Sequence, residues 1–164
     1  MIDNLKNNRK YVKIMKRRLT GKLWWLSVAF TLSLLWLTGP GQAGEVKEAN
    51  PGKGGETLEI KSLPVRGQIT VVEFYSPFCP PCVRLAPMME KLCQRRPEIT
   101  VKKVNINRPE VQRIDWNSPL ARQYRLRSVP YFAIFNPRGK LVAEGEAAMR
   151  QVEDWLREAK IIEE

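Results

Sequence analysis

Seven consecutive residues, Ile69-Thr70-Val71-Val72-Glu73-Phe74-Tyr75, constrain this chain more than any other segment. The run is β-branched and aromatic, and it is apolar at nearly every position rather than at alternate ones. A strand of that kind is buried on both faces, so it belongs at the centre of a sheet with helices on each side. The residues that follow supply those layers. Pro77 to Pro81 end the strand, and a helix is predicted over Pro80–Arg95. A second strand is predicted over residues 99–106, an irregular or partly helical stretch over 107–116, and a short helix over 119–126. Tyr131–Phe135 and residues 140–144 flank Asn136-Pro137-Arg138-Gly139 and read as a hairpin. Gly145 then precedes an amphipathic helix over 146–160, with Met149, Val152, Trp155, Leu156 and Ala159 on one side. Residues 57–61 form a weaker strand candidate. The predicted order is β-β-α-β-α-β-β-α, an α/β domain with a central mixed sheet flanked by helices.

The N-terminal quarter has a different character. Lys and Arg total 28 against 17 Asp and Glu, a formal charge of +11. Eight of the basic side chains and only Asp3 of the acids lie in residues 1–43. The remainder mixes both signs, so no basic face marks a nucleic-acid partner and none is expected. Residues 23–37 are an uncharged, mostly apolar run, followed by Gly39, Pro40, Gly41 and Ala43. Basic flank, apolar stretch, helix breaker and small residues are the order of a secretory signal, with cleavage expected after Ala43. The alternative is an uncleaved membrane anchor through residues 23–37. Fifteen residues give a helix of about 22 Å, short of the roughly 30 Å hydrocarbon core, although the Trp24, Trp25 and Trp36 rings suit the interfaces. A buried core helix is a third reading. Signal and anchor both leave residues 44 onward on the extracytoplasmic side, periplasmic or secreted, because the basic flank stays inside. Met15 opens the compact run Met15-Lys16-Arg17-Arg18, and translation is expected to start there. Residues 44–56, rich in Gly and charge, read as a flexible linker, which puts the folded domain at 57–164.

The chain contains no histidine. That excludes Ser-His-Asp and Cys-His nucleophiles and His-ligated metals, and leaves carboxylate, Lys, Tyr or Cys as the available general base. Three cysteines allow one redox pair and one spare thiol. Cys79-Pro80-Pro81-Cys82 stands where the apolar strand gives way to a helix. A helix N-terminus favours a thiolate through its dipole and its unpaired N–H groups, so this is the place for a redox dithiol. Cys79 takes the N-cap position, and Pro80 and Pro81 fill the first turn, where an N–H is not needed. The two prolines also remove donors, so the Cys79 sulfur must rely on the N–H of Cys82. An inert structural disulfide and half of a zinc site are the other readings of the pair. Only Cys93 remains as a further thiol ligand, so no metal is expected, and no cofactor. Cys93 shares a helical stripe with Cys82, Ala86 and Met89 and reads as buried packing. It lies about 16 Å from Cys82 along a helix, beyond disulfide reach. Glu73 is a carboxylate within an apolar strand. Either it is buried with a raised pKa, or the strand lies at an edge and Glu73 faces solvent.

Residues 71–92, Val-Val-Glu-Phe-Tyr-Ser-Pro-Phe-Cys-Pro-Pro-Cys-Val-Arg-Leu-Ala-Pro-Met-Met-Glu-Lys-Leu, resemble the active-site segment of thioredoxins and of protein disulfide isomerase domains. Pro87 matches the helix-kinking proline of that family. Residues 121–130, ending in Val129-Pro130, resemble its cis-proline stretch. The resemblance implies a thioredoxin fold over residues 57–164 and a thiol–disulfide oxidoreductase in which Cys79 attacks and Cys82 resolves. It implies that Glu73 moves protons for the second cysteine, and that Phe78, Pro80, Pro81, Val129 and Pro130 meet the substrate. The Val129–Pro130 bond is then cis and forms the wall opposite Cys79. The implied partners are protein disulfides or dithiols and a membrane or soluble thiol redox partner. Three departures stand out: Pro-Pro between the cysteines, Phe78 in place of a Trp, and a longer segment around residues 107–118. These leave the direction of electron flow open between reductase and oxidase or isomerase. The rival reading is a non-catalytic thioredoxin-like binding or assembly module with a structural disulfide.

Overall fold

A computed structural model describes residues 44–163. The expectations for residues 1–43, a signal or anchor and a start at Met15, lie outside the described residues. Five strands form one sheet in the order β1-β3-β2-β4-β5. They are β1 (Val46–Glu48), β2 (Ile69–Tyr75), β3 (Ile99–Asn105), β4 (Tyr131–Phe135) and β5 (Leu141–Glu144). Helices α1 (Pro80–Arg95), α2 (Pro119–Gln123) and α3 (Glu146–Glu158) complete the fold. β1 and β2 both run parallel to β3, while β4 runs antiparallel to β2 and to β5.

The apolar run behaves as its composition demands. β2 is the central strand, and Val71, Val72, Glu73 and Phe74 have no exposed surface. Side chains alternate between the faces along it. Val71 packs with Met89, Leu92 and Cys93 of α1 and with Val152, Trp155 and Leu156 of α3. Val72 and Phe74 pack on the opposite face with Leu120 and Ala121 of α2. The protein is thus three layers, with α1 and α3 on one face of the sheet and α2 on the other. The predicted stripe of α1 is present: Cys82, Met89 and Cys93 are buried on one side. Pro87 stands inside the helix on its exposed side.

Two expectations are corrected. Residues 44–56 are not a flexible linker. Val46–Glu48 pair with Val101–Lys103 at the sheet edge, held by Val101 N–H to Glu45 O (2.8 Å) and Ala49 N–H to Lys103 O (2.7 Å). The buried Asn50 then exchanges two 2.9 Å hydrogen bonds with the Asn105 backbone. These ties are backbone and amide bonds, which a count of Gly and charge does not register. Residues 57–61, expected as a strand, instead lead into a single 3-10 turn, Ile60–Ser62, with Glu59 as its N-cap. The Tyr124 hydroxyl decides this geometry by accepting from Ile60 N–H (3.0 Å) and donating to Leu58 O (2.7 Å). The order β-β-α-β-α-β-β-α still holds, with Val46–Glu48 as the first strand.

Gly55 shows how tightly this segment is seated. Its φ is +77°, and a Cβ there would stand 2.8 Å from the Arg108 backbone nitrogen. Gly52 has φ +71° but open space around it. Gly52→Ala is expected to cost about 1 kcal/mol from the left-handed backbone alone, and Gly55→Ala about 2 kcal/mol or more. Urea unfolding of both variants checks this, and equal losses would contradict the close approach.

Candidate active site

The topology gathers three segments at one end of the central strands. β2 and β3 are parallel and end there, and the antiparallel β4 begins there. The chain after β2 carries Cys79, the chain after β3 carries residues 106–118, and the chain before β4 carries Val129 and Pro130.

Cys79 and Cys82 are joined by a disulfide, with their Cα atoms 5.3 Å apart. Cys79 is the N-cap of α1, and Pro80 and Pro81 occupy its first turn. The N–H of Cys82 donates to Cys79 Sγ at 3.2 Å, the donor left once the prolines have removed theirs. Val129 O lies 3.4 Å from Cys79 Sγ on the other side, and the Val129–Pro130 peptide bond is cis, as expected. Phe78, Pro80 and Pro81 are exposed around the cysteine, while Val129 and Pro130 are half-buried. Phe78 is oriented by its N–H donating to Oγ of the buried Ser76 (3.1 Å). Cys79 and Cys82 are equally buried, at 1% exposure each. The difference between them lies in their surroundings. Cys79 has the exposed Phe78, Pro80 and Pro81 as chain neighbours and the Val129 carbonyl at 3.4 Å, and Cys82 lies on the inner stripe of α1.

Glu73 is buried at the centre of the sheet, and the edge-strand alternative is excluded. It shares the face of Val71, the face covered by α1. Neither carboxyl oxygen has a hydrogen-bond partner among the described residues. Desolvation therefore dominates and pushes its pKa up to about 7, against a smaller opposing pull from the Lys103 ammonium. Lys103 is its register partner on β3 and stands over the Tyr75 ring, 4.2 Å from the centroid. A carboxyl with this pKa can hold or release a proton near neutrality on the face of the sheet that α1 covers. Cys93 is free and buried, and burial pushes its thiol up to about 11, which suits packing rather than chemistry.

The thioredoxin family model matches residues 60–158. The chain belongs to the thioredoxin family. It is similar to sporulation thiol-disulfide oxidoreductase A of Bacillus subtilis (strain 168), 24% identical over 85% of this chain and 99% of that one. It is also similar to thiol-disulfide oxidoreductase ResA of Halalkalibacterium halodurans, 30% identical over 62% of this chain and 67% of the relative. Maize protein disulfide-isomerase is 35% identical over 54% of this chain but only 17% of its own length. Among solved structures, the complex of ferredoxin:thioredoxin reductase and thioredoxin f2 contains a matching chain at TM-score 0.50 and 22% identity. That match covers 73% of this chain and 98% of that one, and it shows the fold alone.

Within this thioredoxin-family site, sequence reasoning missed two groups. Lys103 carried no signal because its relation to Glu73 depends on strand register. Asp115 and Arg108 form an ion pair, Nε to Oδ2 at 2.7 Å and Nη2 to Oδ1 at 3.1 Å, that shapes the segment after β3. A buried acid in a stretch read as irregular was the available clue, and burial cannot be read from that stretch.

Proposed function

We propose that this chain is an extracytoplasmic thiol–disulfide oxidoreductase that exchanges disulfides with protein substrates through Cys79 and Cys82. The observation that carries the reading is the position of the disulfide: one sulfur caps a helix N-terminus 3.4 Å from the Val129 carbonyl, and the same face of the sheet holds a buried carboxyl whose pKa is raised to about 7. The two thiol-disulfide oxidoreductases it resembles support the same chemistry. In the reducing direction the Cys79 thiolate attacks a substrate disulfide. The substrate S–S bond breaks, a mixed disulfide forms, and one substrate sulfur leaves as a thiolate that takes a proton. Cys82 then gives its proton to the Glu73 carboxylate and attacks the Cys79 sulfur. That step restores the Cys79–Cys82 bond and releases the second substrate thiolate. Oxidation of a substrate dithiol is the same sequence reversed. Val129 offers its backbone to a substrate strand beside the disulfide, and Phe78, Pro80, Pro81 and Pro130 form the contact surface. The basic and apolar N-terminal segment supports export, and no helix among the described residues is long and apolar enough to cross a membrane.

The full chain is expected to accelerate insulin reduction by dithiothreitol, read as turbidity. No acceleration would favour the non-catalytic module. Equilibration against glutathione buffers then gives the direction: a potential near about −270 mV marks a reductase, and one near about −120 mV a disulfide donor.

A further inference from the structure

The departure that the redox chemistry does not use is the long segment after β3. Phe78, Arg108 and residues 111–117 line an open groove of about 720 Å³ that begins at Phe78, the residue before Cys79. Phe78 is 44% exposed and Trp116 39%, two of the few large apolar side chains left facing solvent. The groove wall is built rather than loose. The buried Asn107 side chain donates to Val111 O (3.0 Å) and to Arg113 O, and its Oδ1 accepts from Asp115 N–H (3.4 Å). Arg108 grips Asp115 with two nitrogens, and Asp115 Oδ1 also accepts from Asn117 N–H (3.2 Å). The pair holds the Asp115 carboxyl below the usual carboxylate range, so the buried charge is spent within the loop. Arg113, exposed on the same wall, forms no ion pair among the described residues, nor do Arg122, Arg125 and Arg127 on the chain leading to Val129. Glu110 and Asp115 are the acids of that stretch, and both face Arg108. On the groove side, from Arg113 to the chain leading to Val129, basic side chains therefore outnumber acids, while Glu146 and Glu153 lie beyond Pro130.

We propose that this groove is a docking subsite for a protein partner that carries an acidic residue and an apolar side chain next to its reacting cysteine. The inference rests on the oxidoreductase reading and names the class of substrate for it. Sheet order sets the path. Val129 lies on the β4 side of Cys79 and the groove on the β3 side, so a strand paired with the Val129 backbone crosses the disulfide and runs on over Phe78. Its apolar side chain lies against Phe78 and Trp116, and its carboxylate meets Arg113. A basic segment meets like charge at Arg113 and at the arginines leading to Val129, with Glu110 as the exposed acid beside them.

The test uses the reduced full chain and two pentapeptides, Leu-Glu-Cys-Glu-Leu and Leu-Lys-Cys-Lys-Leu, each as its mixed disulfide with glutathione. Each rate is divided by the rate with dithiothreitol alone, which removes the intrinsic reactivity of the peptide. The acidic peptide is expected to react about fivefold faster, the upper end for one exposed ion pair. Arg113→Glu should bring the ratio to about one or below. Arg138→Glu makes the same charge change in the β4–β5 turn at the opposite end of the strands and should keep the ratio. Trp116→Ala should remove most of the advantage of the leucine peptides over glycine-substituted ones. A parent ratio of one, or equal shifts in Arg113→Glu and Arg138→Glu, would overturn the subsite. Absence of reaction with either peptide would instead overturn the oxidoreductase reading on which it stands.

Discussion

Cys79→Ser is expected to bring disulfide exchange down to background, a loss of at least about 10³-fold, because it removes the sulfur proposed to attack the substrate. The geometry makes the two cysteines unequal although both are buried. Cys79 Sγ accepts from the Cys82 N–H at 3.2 Å and stands 3.4 Å from Val129 O, with Phe78, Pro80 and Pro81 exposed around it. In the reduced state the same N–H and the helix dipole favour the Cys79 thiolate. Cys82 sits on the side of α1 that carries Met89 and Cys93 into the core. In the proposed mechanism it reaches the Cys79 sulfur and resolves the mixed disulfide. Cys82→Ser should therefore still attack and then stall, accumulating a mixed disulfide that non-reducing electrophoresis and mass spectrometry detect. The reverse pattern, with substrate captured by Cys79→Ser, would exchange the two roles.

Most of this frame was readable because it rests on side-chain chemistry local in sequence. A run that is apolar at nearly every position can only be a strand covered on both sides, and β2 spans the seven residues expected of it. Cys79, Pro80 and Pro81 fix the start of α1 by capping and by proline geometry, and its Pro80–Arg95 limits are those predicted. What was misread depends on partners far along the chain. Val46-Lys47-Glu48 carries no apolar pattern, because an edge strand of three residues is held by backbone bonds to β3, fifty-five residues away. Residues 57–61 have strand-like composition, but the Tyr124 hydroxyl takes their backbone groups into a turn. The Arg108–Asp115 pair is seven residues apart in an irregular stretch, a spacing that no helix or strand period brings together. Glu73 stands out as a sequence position, yet its lack of a hydrogen-bond partner among the described residues is a property of the packed sheet.

Glu73→Gln is expected to make the oxidised protein more stable at pH 8 and a poorer catalyst at the same pH. The folded carboxyl has its pKa raised to about 7 by burial, while in the unfolded chain it returns to about 4.5. Between those values the folded state holds the proton and the unfolded state has lost it. Stability therefore falls as pH rises from about 4.5 and levels off above about 7, the opposite of a salt-bridged carboxylate. The full difference corresponds to about 3 kcal/mol. Glutamine carries no charge and has no such slope. Urea unfolding of both proteins should agree within about 1 kcal/mol near pH 4.5 and diverge by up to about 3 kcal/mol at pH 8, with unchanged m-values. Parallel curves would mean that the carboxylate is solvated or paired in the folded state. The catalytic arm has the opposite sign. Without a proton acceptor for Cys82, exchange should slow by about 10²-fold, and the inflection near pH 7 in the parent's rate profile should vanish. Lys103→Met separates the two effects. Removing the ammonium that opposes desolvation leaves the carboxyl in place but raises its pKa further, so the same inflection should move above pH 7. Such a shift would tie the rate profile to Glu73 itself, since a merely structural loss at residue 73 would lower the rate without moving the inflection.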